Sequence, residues 1–106
     1  LSDKTLAESS EKIRVRVQQA RERQQRRFKD ISIQTNSEMR NRDIRSWCEL
    51  DEASRTLLRQ AVTHMHLSAR SYHRIIKLAR TIADLDEKEN IEQHHVAEAL
   101  QYRVKT

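Results

Sequence analysis

Residues Leu67–Leu85 read LSARSYHRIIKLARTIADL, and this stretch decides the fold. Tyr72, Ile75, Ile76, Ala79, Ile82 and Ala83 recur at three- and four-residue spacing, which an α-helix gathers onto one face. Ser68 stands where an N-cap belongs. Arg70, Arg74 and Lys77 fall about 160°, −160° and 140° from the centre of that apolar stripe, on the opposite side of the helix. Arg70 also lies in the first turn, where the helix dipole is positive and favours acidic side chains. A cation in that place suits an anionic partner such as a phosphate. The competing reading is a solvated arginine paired locally.

Working outward, Asp51 caps an upstream helix whose face is Ala53, Leu57, Leu58, Ala61, Val62 and Met65. Only His66–Leu67–Ser68 joins it to the next helix, so the two are expected to be neighbours at a steep or antiparallel angle. His66 occupies the position just past the helix end, where a left-handed backbone is common. Downstream, Asp84–Asn90 reads as an acidic loop, and a last helix carries Val96, Ala97, Leu100 and Val104.

The signals weaken toward the N-terminus. In Asp30–Asp51, Ile31 and Ile33 alternate with polar residues too briefly for a strand. Thr35 and Asn36 can cap one short helix, and Asn41 and Asp43 a second through Ile44, Trp47 and Cys48. Before that, Ser9 and Ser10 can cap a long helix with a thin stripe of Ile13, Val17, Ala20, Gln24 and Phe28. Lys12, Arg16, Arg23 and Arg27 lie within about 80° of one another on its side and are the candidates for nucleic-acid contact. The expectation is an all-α fold: a small bundle of four to five helices with a long basic N-terminal helix. Residues 1–30 would form a basic connecting helix and residues 31–106 the helical domain. Residues 53–104 would supply the core, and residues 1–10 would be mobile.

Composition narrows the chemistry. The 106 residues include no Gly and no Pro, one Cys, and 21 Lys+Arg against 16 Asp+Glu, a net charge of +5. Without Gly there is no Gly-rich phosphate loop, and tight primed hairpins are disfavoured. The positive balance suits polyanionic partners. One cysteine forms no internal disulfide and no zinc framework, which fits a reducing cytoplasm. Cys48 reads as a structural thiol, because no activating base stands near it. No metal site is expected: His64 and His66 are about 200° apart on a helix, and the adjacent His94 and His95 should diverge. Asp84, Asp86, Glu87 and Glu89 read as a solvated loop rather than an acid–base pair. No apolar run approaches the ~20 residues of a membrane span. The chain opens on Leu1 rather than Met, as an excerpt of a longer protein would.

The segment LSARSYHRIIKLARTIADL, followed by HHVAEALQYR and preceded by ESSEKIRVRVQQARERQQRRF and QTNSEM, resembles the C-terminal region of magnesium-chelatase-like AAA+ ATPases, the ComM/YifB group of bacterial proteins. The resemblance implies the helical lid that follows an ATPase core, in the bacterial cytoplasm and without a membrane partner. Ser68–Ala69–Arg70 matches the family's Ser-x-Arg, whose sensor-2 arginine meets the γ-phosphate of ATP, in some relatives at a neighbouring subunit's site. ATP and Mg2+ would belong to the full-length parent only. Partners would be its own AAA+ core, neighbouring subunits of a ring oligomer and, for a parent in DNA branch migration, DNA. Chelatase members instead drive magnesium insertion into protoporphyrin. Relatives often have Gly where this chain has His66, so the turn should be kept at some cost in stability. On this reading the chain is not an enzyme alone. The alternatives are a stand-alone basic helical module that binds nucleic acid through its first helix, and a protein-interaction bundle.

Overall fold

The apolar stripe of residues 69–85 does become a helix, and the molecule is built around it. The computed structural model describes residues 3–105, with side chains described for residues 10–102. Its helices are α1 (Asp3–Arg27), α2 (Asn41–Trp47), α3 (Glu52–Met65), α4 (Ala69–Leu85) and α5 (Gln93–Lys105), with a 3₁₀ turn at Asn36–Glu38. This is the all-α bundle expected. α4 is central: α5, α1, α2 and the 3₁₀ turn all pack on it. α3 does not lie along α4 despite the short join; it packs chiefly on α5. Among the described residues the only extended pairing is an isolated parallel bridge between Leu50 and Ile91.

The caps explain where the helices begin. Asp51 accepts the Ser54 N–H at 2.8 Å and Ser68 Oγ accepts the Ser71 N–H at 3.1 Å, each quenching a free N-terminal donor. At the 3₁₀ turn the Glu38 carboxylate accepts the Thr35 N–H. α2 is capped differently from the expectation. Arg40 is its N-cap, and Asp43 reaches back to accept the Arg40 N–H and Nε–H, both at 2.9 Å. Nor do Ser9 and Ser10 begin α1, which is already helical from Asp3. Of residues 1–10, Leu1 and Ser2 lie outside the described residues.

Two helix ends need a left-handed residue, and the chain has no Gly to supply it. His66 takes one, at φ 53° and ψ 47°, and its N–H and that of Leu67 both turn back to the Val62 carbonyl. Glu87 takes the other at φ 59°, and the Lys88 N–H closes on the Ala83 carbonyl at 2.9 Å.

The core is wider than residues 53–104. Ile75, Ile76, Ala79, Ala83, Val96 and Ala99 meet Phe28, Ile33, Met39, Ile44, Cys48 and Leu50. Those last six are irregularly spaced, so periodicity does not reveal them; successive short turns aim each inward. α3 contributes less than its stripe suggested: Leu58 is buried, while Ala53 and Met65 are exposed. Burial also pushes the Cys48 thiol up to about 11, the state of an unreactive structural thiol.

Asp84, expected in a solvated loop, is helical and fully buried. Its carboxylate takes a two-pronged pair from Arg27, Nη2 to Oδ1 at 2.7 Å and Nη1 to Oδ2 at 2.9 Å. Arg80, one turn back on α4, adds a contact at 3.2 Å, and Asn36 Nδ2 donates at 2.8 Å. Arg80 also donates to the carbonyls of Trp47, Lys88 and Glu89.

A second polar clasp joins α4 to α5. The fully buried His95 accepts the Glu92 N–H on Nδ1 at 2.9 Å, so its proton sits on Nε2, which donates to Asp86 at 2.8 Å. His94 reaches the same oxygen at 3.3 Å. Far from diverging, the two imidazoles are 4.0 Å apart, because one carboxylate after α4 gathers both.

Three outcomes are expected of this chain. Asp84→Ala strands two arginines in the interior and should destabilise by about 3–5 kcal/mol in denaturant melts; a loss near zero would refute the central role of the pair. His66→Gly relieves the left-handed penalty and should stabilise by about 0.5–1 kcal/mol, and thermal melts showing no gain would refute it. The third concerns acid. Hydrogen bonds from His95 and His94 hold Asp86 below the usual carboxylate range, those from Arg40 lower Asp43, and those from Ser54 lower Asp51. Depressed carboxylates stabilise above their unfolded values, about 3.9, and this is lost as pH falls through the lower folded ones. The melting temperature should therefore drop between pH 5 and pH 2 (about that window), and Asp86→Ala should flatten the drop.

Candidate functional site

Arg70 sits in the first turn of α4, just after the Ser68 cap, and is exposed. Its first turn contains no acidic residue. The cap and the left-handed turn at His66 fix where α4 starts, and so where Arg70 projects. On the same side lie His73, Arg74 and Lys77. With Ser37, Asn41, Ile44, Leu78 and Thr81 they line an open cleft of about 640 Å³. One wall is thus the outer face of α4 and the other is the 3₁₀ turn and α2. Lys77 is tied across it, its Nζ donating to the Ser37 carbonyl at 3.1 Å. The lining contains no carboxylate. Chemically, the cleft presents positive charge and several N–H donors.

The four cations proposed for α1 do not act as one row. Arg27 is committed to Asp84 with a side chain only 10% exposed, and Arg23 is bonded to Glu89 at 3.1 Å. Both are corrections to the expected nucleic-acid face, since the acids that engage them sit on the segment read as solvated. Lys12 and Arg16 remain exposed, beside Ile13 and Val15. The expected basic stripe is therefore halved.

Asp86, His94 and His95 place one ligand atom each within 4.8 Å of one another, a grouping the sequence did not suggest. Its chemistry does not suit a metal. His95 would have to ligate through Nε2, yet that nitrogen holds the proton while Nδ1 accepts the Glu92 N–H. Two donors remain, Asp86 and His94, both exposed and fewer than a structural or catalytic zinc site uses. The clasp is structural.

Sequence reading located Arg70, Arg74 and Lys77 but missed what surrounds them. Ser37, Asn41 and His73 carry no periodic signal, and Asn36 reads only as a cap. Arg80 and Asp84 fall about 80° and 120° from the centre of the apolar stripe, so helical spacing does not mark either as buried.

A family model for "Magnesium chelatase, subunit ChlI C-terminal" matches residues 7–103. The chain is 42% identical over 96 residues to Competence protein ComM of Haemophilus influenzae, which covers 91% of this chain and 18% of that protein. It is 38% identical over 96 residues to proteins named Uncharacterized protein YifB in Escherichia coli and in Salmonella typhimurium, again over 91% of this chain and 18% of each. The chain thus spans under a fifth of the length of these relatives. No solved structure matches it significantly.

Proposed function

Since the chain belongs to the family of magnesium chelatase subunit ChlI C-terminal domains, we propose that it is the helical lid of an AAA+ ATPase. On this reading the ATPase core lies elsewhere in a longer parent, and the lid covers its nucleotide. Arg70 is the sensor-2 arginine, directed at the γ-phosphate of ATP held with Mg2+ by the core. The observation that carries this is the placement of Arg70: exposed, in the capped first turn of α4, beside a cleft lined by cations and no carboxylate. The chain has no Gly-rich loop of its own to cradle the nucleotide, which agrees with a part that contributes to hydrolysis without performing it. Movement of the lid against the core would couple nucleotide state to neighbouring subunits of a ring. The resemblance to ComM favours a parent that remodels DNA in the bacterial cytoplasm over one that inserts magnesium. No helix among the described residues is long and apolar enough to cross a membrane.

The rival, nucleic-acid binding by α1 alone, has less support, because Arg23 and Arg27 are engaged within the fold. Of the four cations expected to carry it, Lys12 and Arg16 are left exposed.

In the full-length parent, Arg70→Ala should lower steady-state ATP turnover by about 10³-fold, the scale of an arginine acting on a transferring phosphoryl group. The same substitution should leave the melting temperature of this chain unchanged, because Arg70 is exposed. Wild-type turnover would sink the sensor assignment, and a large drop in melting temperature would make Arg70 structural. Arg59, an exposed cation on α3 outside the cleft, serves as the control.

A further inference from the structure

We propose that His95 is an acid-operated latch: while neutral it holds the start of α5 to the end of α4, and taking up a proton releases that start. The latch is independent of the role proposed for Arg70.

His95 lies in the first turn of α5 and is fully buried. Both of its ring nitrogens are committed. Nδ1 accepts the Glu92 N–H at 2.9 Å, just ahead of the helix, and Nε2–H donates to Asp86 at 2.8 Å. The first of these is the reach-back of a capping box, with an imidazole where Glu or Gln usually stands. The difference matters, because an imidazole loses its acceptor to a proton in mild acid. An imidazolium is a donor on both nitrogens, so Nδ1–H would face the Glu92 N–H with no lone pair between them. A closed latch and a charged His95 are therefore in conflict at one backbone donor.

The surroundings add to that conflict. A cation in the first turn opposes the helix dipole, and the first turn of α5 contains no acidic residue to offset it. The His94 ring lies 4.0 Å away, and once charged it repels a second charge beside it. From α1, Arg16 shares the recess around the clasp, as do Glu98 and Tyr102 of α5; Glu98 accepts the Tyr102 hydroxyl. Glu92 lies toward His94, 3.9 Å from its Nδ1. Among the described residues Asp86 is the one carboxylate within salt-bridge distance of His95, and neither α3 nor α4 brings another. Asp86 favours a charged ring, but it is half-exposed and already shared with His94. Linkage then fixes the sign. The closed latch needs a neutral ring, while the open one leaves the ring in water, where an imidazole binds a proton as pH falls through about 6.5. Opening thus takes up one proton, and below that pH the open fraction rises about tenfold per unit. Because α3 packs chiefly on α5, the latch also bears on how α3 is held.

The test is amide hydrogen exchange of this chain across mild acid, read as protection factors so that the intrinsic pH dependence of exchange drops out. The Glu92, His95 and Val96 amides bond across the start of α5. Their protection should fall about tenfold between about pH 6.5 and pH 5.5, while that of Ile75–Ala79 in α4 changes little. His95→Gln keeps a capping acceptor that does not titrate, so its protection should stay level over the same range. His94→Gln should still show the fall. Protection that does not change with pH in the wild-type chain overturns the latch, and so does an equal fall in His95→Gln. An equal fall along α4 marks unfolding of the whole chain and overturns it as well. Should His95→Gln not fold, ring nitrogen chemical shifts of the wild-type chain decide. A neutral Nε2–H tautomer that gives way to imidazolium only as the Glu92 amide loses protection supports the latch. Imidazolium formed while that amide stays protected overturns it.

Discussion

The carboxylate of Asp84 is the point on which the separate helices agree. It lies fully buried near the end of α4 and receives Arg27 from α1, Asn36 from the 3₁₀ turn and Arg80 from α4 itself. A charge in that position is tolerable only when its lone pairs are filled, because the interior does not supply water to do so. The requirement is demanding, and Arg80 Nε is in fact left without a hydrogen-bond partner. Its consequence is specificity of arrangement. α1 cannot slide along α4 by even one turn without taking its guanidinium away from the carboxylate. Apolar contacts alone, such as those of Ala20 and Phe28, would resist such a slip far less.

The same interaction explains what was and was not legible in the sequence. α3, α4 and α5 announce themselves because their apolar residues recur at helical spacing, and the Asp51 and Ser68 caps mark two of their starts. Residues 28–50 bury Phe28, Ile33, Met39, Ile44, Cys48 and Leu50 at intervals of two to six, which matches no single period. Their order comes from contacts with α4 rather than from local preference, so it cannot be read before α4 is placed. Arg27 looks like one more solvated cation on a basic helix until the position of Asp84 is known. Long-range pairing between residues 27 and 84 has no local signature at all.

The candidate site divides along the same line. Arg70 was legible twice, from its angle on the helix and from its place in the first turn. Arg74 and Lys77 were legible as cations on that face, but not as the lining of a cleft, since the opposite wall is the irregular segment from Ser37 to Ile44. The histidines illustrate the converse error. Helical geometry correctly separates the directions of adjacent side chains, but it takes no account of an acceptor outside the helix. Asp86 supplies one and draws His94 and His95 together.

The buried clamp and the exposed arginine occupy opposite ends of one rigid rod. Fourteen residues of α-helix separate Asp84 from Arg70, about 21 Å along the axis. On a lever of that length, a tilt of about 5° at the clamped end carries the far end through about 2 Å. On the proposed lid reading, a displacement of that size is the difference between meeting a phosphate oxygen and missing it. The aim of Arg70 is therefore set far from Arg70, by how tightly Arg27 and Asn36 hold a carboxylate that never touches solvent.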